Sequence, residues 1–517
     1  MDFQASTVES SHPGALPEAS ALLPHRPVRD WTFDTLTWCA LRLGRVGPLR
    51  RAIARHMEAR IRARGELPAS ALRHPVAVEQ DKVALALALL GAAERALARG
   101  QLGAPALRAL LGNLVSGVFV HRGGTSAKDR FRARHGQNPG DFLVISPGKA
   151  CNLRCRGCYA NSGAHRERLD WATFERTVRE AHDNWGTRAF VISGGEPLAW
   201  RDGSRSFLDL AERFPDCFFV MYTNGTLIDD AVAKRLGQLG NVSPALSIEG
   251  MKERTDARRG DGVFDKVLAA MERLRREGVI IGVSLTATRE NADEILSDEV
   301  VETFFEGIGA TYAFVFHYMP MGRSFTLDLM MTPEQRLRLY ERVWWLVRNR
   351  HIFIADFWNS ATATNGCVAA GRAGGYFHVN WNGDVSPCVF FPYSPVNVRE
   401  VFARGGTLDE VWAQPFFADI RRWQRDYGYR ETNEPCPDCG NWLAPCIIRD
   451  HHADALALMR RHEPTPTDED AQAALADPEY HEGLERFGRE LEELTGPVWR
   501  ERYKRGKGLP SAPMQRR

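Results

Sequence analysis

Three cysteines in one short loop constrain this chain of 517 residues more than any other feature of its sequence. They are Cys151, Cys155 and Cys158, and they directly follow the apolar run FLVISPG (142–148), which has the composition of a β-strand. Iron–sulfur clusters normally take four cysteine ligands. Three thiolates at this spacing therefore predict a [4Fe–4S] cluster whose fourth iron is kept for a substrate or cofactor, with a zinc knuckle or chance clustering as the alternative.

Strands and helices alternate regularly along the chain after this first run. This order predicts a parallel sheet with helices on its outside, and six strand–helix units are fewer than the eight that close a full barrel. We therefore predict an α/β fold built on a partial (β/α)6 TIM-like barrel. The predicted strands are 142–148, 189–195, 217–225, 242–250, 278–288 and 311–319, and the predicted helices lie near 171–184, 205–214, 229–239, 262–277 and 292–307.

Two glycines and a carboxylate end the second predicted strand, in the run Ser193-Gly194-Gly195-Glu196-Pro197. Ligand sites in parallel sheets lie at the carboxyl ends of the strands. The glycines allow a ligand to approach the backbone, and Glu196 offers an acceptor to an ammonium group. The alternative is a tight turn without a ligand.

Together these motifs resemble the radical S-adenosylmethionine (SAM) superfamily, over roughly residues 140–322. The cysteine loop, the GGEP run, YTNG on the third strand and LSIEG on the fourth occur in the order of that family. The resemblance implies that the cysteine triplet holds a [4Fe–4S] cluster and that SAM chelates its open iron. The implied cofactor-binding residues are Gly194, Gly195 and Glu196 at the methionyl ammonium, Ser247 and Glu249 near the ribose, and Asn224 and Tyr159.

One position departs from the family pattern. An aromatic residue usually precedes the third cysteine, whereas here Gly157 stands there and Tyr159 follows the cysteine. The implied reaction is one-electron cleavage of SAM, which yields methionine and a 5′-deoxyadenosyl radical that abstracts hydrogen from a substrate. The resemblance also implies a ferredoxin or flavodoxin as the electron donor.

A second group of cysteines resembles the SPASM extension of peptide-modifying radical SAM enzymes, or its shorter relative, the twitch domain. A full SPASM set has seven cysteines and two auxiliary clusters, whereas five cysteines are present here. They predict one auxiliary [4Fe–4S] cluster. Its predicted ligands are Cys367, Cys388, Cys436 and Cys439, with Cys446 as a replacement for one of them.

The alternative for this group is a zinc site at the CPDC pair. Asp450 stands where a further SPASM cysteine would fall, and it is followed by His451 and His452. Carboxylate and imidazole are ordinary zinc ligands. These three residues are therefore candidate ligands under the zinc alternative.

Three further residues are candidate substrate contacts. His317 and Tyr318 end the sixth predicted strand, at the face expected to hold the substrate, and Arg259 lies in the loop after the fourth. Core packing is the alternative for the first two, and bracing of the loop for Arg259. Cys217 opens the third strand at the opposite end and is predicted to belong to the core.

The rest of the chain divides by composition into helical and cysteine-rich parts. We predict a helical N-terminal domain before the barrel and a small, cysteine-rich α+β domain after it. The predicted boundaries are a tail at 1–29, the helical domain at 30–135, the radical SAM core at 136–330, a linking helix at 331–365, the SPASM/twitch-like domain at 366–455 and a helical C-terminal tail at 456–517.

Charge and hydropathy bear on the partners of the chain. Lys and Arg number 67 against 65 Asp and Glu, which gives no reason to expect nucleic acid. The longest aliphatic run, 83–93, is half of the roughly 20 residues of a transmembrane helix, and no secretory signal opens the sequence. We predict a cytoplasmic protein. Residues 42–73, with nine Arg and two Glu, predict either a solvated helical face or peripheral contact with an anionic surface.

Three functions are compatible with these features. The SPASM resemblance favours radical modification of a peptide or protein side chain. The same chemistry on a small metabolite or a lipid, for example a dehydrogenation, is the second hypothesis. The third is a non-catalytic iron–sulfur or zinc protein.

Overall fold

A ten-stranded sheet forms the centre of the protein. The computed structural model describes residues 46–65, 72, 74–119, 126–429 and 439–505. The sheet has the strand order β13-β11-β10-β1-β2-β5-β6-β7-β8-β9. The strands are β1 (Phe142–Ile145), β2 (Ala189–Ile192), β3 (Arg201–Asp202), β4 (Arg205–Ser206), β5 (Phe218–Thr223), β6 (Val242–Ile248), β7 (Gly282–Ala287), β8 (Tyr312–His317), β9 (Ile354–Asp356), β10 (His378–Val379), β11 (Asp384–Ser386), β12 (Tyr393–Ser394), β13 (Val396–Asn397) and β14 (Thr465–Pro466).

Helices precede the sheet, cover its outer face and follow it to the end of the described chain. Their ends are capped in the usual way, as where Thr332 accepts from the backbone N–H of Gln335 at the start of α11. The α-helices are α1 (Gly47–Gly65), α2 (Val76–Ala98), α3 (Ala104–Phe119), α4 (Ala127–His135), α5 (Trp171–Glu180), α6 (Phe207–Arg213), α7 (Asp230–Leu239), α8 (Lys252–Arg259), α9 (Val263–Arg276), α10 (Asp298–Val301), α11 (Pro333–Trp345), α12 (Ala361–Thr364), α13 (Val398–Ala403), α14 (Leu408–Trp412), α15 (Pro415–Asp426), α16 (His452–His462), α17 (Glu469–Leu475) and α18 (Pro478–Val498).

The predicted barrel core is confirmed. Strands β1, β2, β5, β6, β7 and β8 are neighbours in chain order, and every pairing among them is parallel. Each lies inside one of the six predicted runs, with helices in the connections. The α/β class and the partial barrel follow from this arrangement.

The sheet extends further than the six predicted strands. At one edge β9 pairs parallel with β8, and at the other β10 pairs parallel with β1. Strand β11 then pairs antiparallel with β10, and β13 pairs antiparallel with β11. The cysteine-rich region is thus α+β, as predicted, but its strands continue the sheet of the barrel instead of forming a separate one.

A buried carboxylate joins the N-terminal helices to later parts of the chain. Asp81 of α2 is only 1% exposed. It accepts hydrogen bonds from Thr362 Oγ1 at 2.7 Å and from the Tyr503 hydroxyl at 2.8 Å, and it forms an ion pair with Arg348. Burial raises the pKa of Asp81, and its three partners offset the cost of placing a carboxylate in the interior.

We expect Asp81→Ala to lower the free energy of unfolding by about 3 kcal/mol, because it removes the acceptor of three buried or half-buried donors. The matched control is Asp230→Ala, whose side chain is 80% exposed and also pairs with arginines. That change should cost less than about 1 kcal/mol. Urea unfolding followed by far-ultraviolet circular dichroism measures both, and equal losses would contradict the role assigned to Asp81.

Candidate functional site

The cysteine loop leaves the carboxyl end of β1 and is fixed by its own backbone. Cys151 N donates to Gly163 O at 2.8 Å, and Lys149 N donates to Glu167 O at 3.0 Å. Burial raises the pKa of the Cys151 thiol to about 11, with a further contribution from Glu196. The thiol is therefore protonated in the free protein, and a bound metal would convert it to the thiolate.

The glycine pair allows this loop to lie directly on the end of β2. Gly195 N and Glu196 N donate to Gly148 O and Ala150 O, both at 2.8 Å. A Cβ at position 195 would lie 2.1 Å from Ala150 O, and Gly194 has a φ of +106°, which disfavours any other residue. The group that approaches these glycines most closely is thus the backbone of the cysteine loop, and both glycines also face the cavity described below.

Glu196 connects the second and third barrel strands. Its carboxylate is buried and accepts from Thr223 Oγ1 at 2.8 Å and from the backbone N–H of Asn224 at 2.9 Å. Burial raises the pKa of Glu196. Asn224 in turn donates through Nδ2 to Asn152 Oδ1 at 2.9 Å, so the cysteine loop, β2 and β5 form one hydrogen-bonded unit.

Two arginines at the end of α8 neutralise the carboxylate of Glu249. Arg259 Nε donates to Glu249 at 2.8 Å, and Arg258 pairs with the same carboxylate while its other nitrogen donates to Gly157 O at 3.3 Å. Although burial opposes it, the pKa of Arg259 is raised, by Glu249 and then by the thiol of Cys155. Arg259 therefore places a permanent positive charge near the cysteine loop.

Both ring nitrogens of His317 have hydrogen-bond partners. Nε2 lies 3.0 Å from the Asp356 carboxylate, and Nδ1 lies 3.3 Å from Nη1 of Arg449. Because a guanidinium only donates, Nδ1 accepts and Nε2–H donates to Asp356. Burial lowers the pKa of His317 to about 4, so the ring is neutral.

Two tyrosines border the cysteine loop. The Tyr159 hydroxyl lies 2.8 Å from Ser193 Oγ and accepts from Gly194 N at 2.9 Å. The ring of Tyr318 occupies the space beside Gly157, since a Cβ at 157 would lie 2.6 Å from it. The space beside residue 157 is therefore filled by an aromatic ring from the end of β8.

The C-terminal cysteines form a second group away from this loop. Cys367, Cys388 and Cys446 carry free thiols. Burial raises the pKa of Cys388 well above its usual value, and the nearby thiols of Cys446 and Cys367 add to the shift. Cys439 is buried, and Cys436 lies outside the described residues. The structure thus brings the predicted replacement ligand, Cys446, close to Cys367 and Cys388.

The residues considered for a zinc site are occupied by protein groups. Asp450 accepts from Arg336 Nη1 at 2.9 Å and from Arg449 Nε at 2.8 Å. His451 Nε2 lies 2.8 Å from Ala444 O, and His452 Nδ1 lies 2.7 Å from Ile448 O. Although burial opposes it, the two guanidiniums hold the pKa of Asp450 far below its usual range. These contacts stabilise the chain around Cys446.

Most of the predicted site residues meet in one cavity of about 610 Å³ inside the barrel. Glu249 lies behind its arginines and does not line it, and neither do Cys367, Cys388, Cys439 and Cys446. Cys217 is fully buried in the core, as predicted. The predicted residues that line the cavity are Cys151, Cys155, Cys158, Tyr159, Gly194, Gly195, Glu196, Asn224, Ser247, Arg259, His317 and Tyr318.

The sequence analysis missed several residues of this wall. Arg258 and Asp356 line the cavity together with the aromatic rings of Tyr376 and Phe390. A signal existed for Asp356, which is a lone carboxylate in the apolar run IFIADFW (352–358). No comparable signal marks Tyr376 or Phe390, because they enter the cavity from the cysteine-rich region.

Comparison with known proteins agrees with this geometry. A family model described as "Radical SAM superfamily" matches residues 145–298, and the SPASM model, an iron-sulfur cluster-binding domain, matches residues 367–440. Residues 145–298 therefore match the radical SAM domain and residues 367–440 match the SPASM domain. The first domain implies a [4Fe–4S] cluster and SAM, and the second implies auxiliary iron–sulfur binding. The free thiols of the first triplet, all on one cavity wall, fit a three-cysteine cluster.

Curated relatives match parts of the chain. Fe-coproporphyrin III synthase of Methanosarcina barkeri is 31% identical over 155 residues, 30% of this chain and 38% of that protein. The mycofactocin maturase MftC of Mycolicibacterium smegmatis is 28% identical over 319 residues, 57% of this chain and 74% of that protein. The first match is thus confined to less than half of its relative, whereas the second extends over most of MftC.

A solved structure shares the fold. Streptococcus suis SuiB bound to the precursor peptide SuiA superposes with a TM-score of 0.50 at 20% identity, covering 67% of this chain and 79% of SuiB. Among the described residues no helix has the length and apolar character needed to cross a membrane. The region 42–73, considered above for anionic surfaces, contains α1, whose Leu49, Ile53 and Met57 are exposed.

We expect Gly195→Ala to displace the cysteine loop, because the new Cβ would overlap the carbonyl of Ala150. The variant should lose most of the iron bound by the first triplet and keep the auxiliary iron. Iron content after anaerobic reconstitution, with the electron paramagnetic resonance change on adding SAM, measures this. Gly163→Ala, whose Cβ would have no neighbour closer than 3.8 Å, is the control, and equal iron in both variants would contradict the steric argument.

Acid should destabilise the protein through His317. The unfolded chain binds a proton on this histidine below about pH 6.5, whereas the folded chain binds it only near pH 4. Stability therefore falls as the pH is lowered through this window, by up to about 3 kcal/mol from this residue. His317→Gln should flatten the pH dependence of the urea midpoint between pH 6.5 and 4, and a variant whose midpoint falls with pH as steeply as that of the wild type would contradict this assignment.

Proposed function

We propose that this enzyme uses its first cluster and SAM to abstract hydrogen from a substrate held in the barrel cavity. When bound, the cluster and SAM supply reductive cleavage to methionine and a 5′-deoxyadenosyl radical. The observation that carries the proposal is that the cysteine triplet, the glycine pair with Glu196, and the inward faces of the barrel strands line the same cavity.

In this proposal the residues of the chain bind the cofactors, orient the substrate and exclude water from the site. Cys151, Cys155 and Cys158 hold three irons, and the fourth is left for SAM. Gly194, Gly195 and Glu196 bind the methionyl ammonium, for which the buried carboxylate is suited, although it already joins β2 to β5. Ser247 would lie near the ribose, whereas Glu249, which does not line the cavity, would act there only through Arg258 and Arg259. Asn224 and Tyr159 would border the cofactor, and Arg259, His317 and Tyr318 would face the substrate. The apolar barrel wall keeps water from the radical.

We propose one auxiliary [4Fe–4S] cluster at the second cysteine group. Cys367, Cys388 and Cys446 are three of its ligands, supported by the electrostatic coupling between their thiols. One cysteine of the Cys436–Cys439 pair is the fourth. The proposed reductant of the clusters is a ferredoxin or flavodoxin, and the proposed location is the cytoplasm, where thiols stay reduced.

Two substrate classes have support. The match to a maturase, MftC, favours a peptide or protein side chain. A small molecule or lipid is favoured by two observations, the apolar cavity and the basic helix α1, where Leu49, Ile53 and Met57 are exposed among arginines. An exposed apolar stripe with flanking cations suits an anionic membrane surface.

Replacing Cys151 by alanine should abolish SAM cleavage and leave the auxiliary iron in place, because Cys151 lines the cavity whereas Cys367, Cys388 and Cys446 do not. The assay is anaerobic incubation with SAM and dithionite, with 5′-deoxyadenosine measured by chromatography and iron measured per chain. Cys217→Ala, in the core away from both groups, should cleave SAM as the wild type does. Continued 5′-deoxyadenosine formation by Cys151→Ala would refute the proposal.

A further inference from the structure

The cavity extends far below the residues assigned to the cofactor. Its wall reaches Phe142, Ala189 and Phe218, the first residues of β1, β2 and β5. Phe218 and Tyr222 both line it, and four residues of strand at about 3.3 Å each correspond to about 13 Å. We call the part lined by Phe142, Val144, Ala189, Val191, Phe218 and Val220 the lower chamber.

One layer of the lower chamber is lined by small side chains. Val144, Val191 and Val220 are in register on three adjacent strands and form one layer of the wall. In closed barrels, layers of bulky side chains pack the interior. Here Phe219 and Met221, on the helix-facing side of β5, are fully buried, whereas Phe218 and Val220 on the barrel side remain partly exposed.

The wall of the chamber is hydrocarbon. Its six defining residues carry only apolar side chains, and a peptide backbone inserted there would bury N–H and C=O groups without partners. A hydrocarbon chain has no polar groups that need hydrogen-bond partners. When it moves from water into the chamber, it gains dispersion contacts and its apolar surface is removed from water. The cavity as a whole is also long, about 13 Å from Phe218 to Tyr222, so an extended group fits it better than a compact one.

The N-terminal helices contribute to the far end of the cavity. Leu85 of α2 lines it together with Phe353, which precedes β9. Both side chains are apolar, and the acidic residue at this edge, Asp141, is paired with Lys128. This gives the helical region before the barrel a part in the binding surface.

We propose that the lower chamber binds a hydrocarbon chain of the substrate, an acyl or isoprenyl group, that lies along the barrel axis. Its functionalised end then points toward the cysteine loop. This assignment rests on the proposed function, because only the radical chemistry makes the bound chain part of a substrate. Binding of the chain requires only the lower chamber.

The test is equilibrium binding of cis-parinaric acid, a fluorescent eighteen-carbon fatty acid, to the reconstituted holoenzyme. Val220→Phe, which fills the chamber, should weaken binding about tenfold or more. The matched control is Val283→Phe, the same substitution at a buried position that does not line the cavity, and it should bind as the wild type does. Phe218→Ala, which lengthens the chamber, should shift preference toward longer acyl chains, whereas Phe219→Ala on the opposite face should not.

Competition identifies the source of the chain. Displacement of the probe by dodecanoate but not farnesol indicates an acyl group, and the reverse indicates an isoprenyl group; either supports the proposal. Absence of binding, equal binding by Val220→Phe and wild type, or displacement only by peptides with apolar side chains would overturn it. If the wild type cleaves SAM but does not bind the probe, the hydrocarbon-binding proposal is refuted and the proposed function is not. If it binds the probe but does not cleave SAM, the proposed function is refuted and the hydrocarbon-binding proposal is not.

Discussion

The site depends on one contact between two stretches of backbone, the cysteine loop and the end of β2. Glu196 N donates to Ala150 O directly before the first cysteine, and this approach leaves no room for a Cβ at Gly195. The contact places the triplet over the open end of the barrel. It also directs the Glu196 carboxylate toward β5, where it binds the backbone of Asn224. The GGEP run therefore assembles the cysteine loop as well as facing the cavity.

The departure at the third cysteine has a steric explanation. Gly157 adopts a φ of +64°, and the ring of Tyr318 lies where its side chain would be. Tyr318 is itself fixed, because its hydroxyl donates to Ser324 O at 3.1 Å. An aromatic surface is thus present at this point of the cavity, although it comes from the end of β8 and not from the loop.

The sequence predicted the barrel well because its strands are continuous apolar runs and its helices are amphipathic. The predicted site residues that line the cavity do so because they lie on the loop or at strand ends, where parallel sheets converge. The strands β9 and β10 were not predicted, since two or three residues carry no periodic signal. The proximity of Cys446 to Cys388 was also not apparent, because it arises from tertiary packing between segments that are 58 positions apart in the numbering.

A buried charge network is centred on Asp450, the position at which the SPASM resemblance implies a further cysteine. Arg336 and Arg449 both bind Asp450, and Arg449 also contacts His317, which binds Asp356. With the histidine neutral, two guanidiniums face two carboxylates, so the interior carries no net charge there. Removing one partner of a buried ion pair leaves an unpaired charge in the interior, which destabilises the fold more than an apolar core would. Each charged group of the network is therefore needed to balance the others. The network joins the ends of β8 and β9 to the loop of Cys446, which fixes the second cysteine group relative to the cavity.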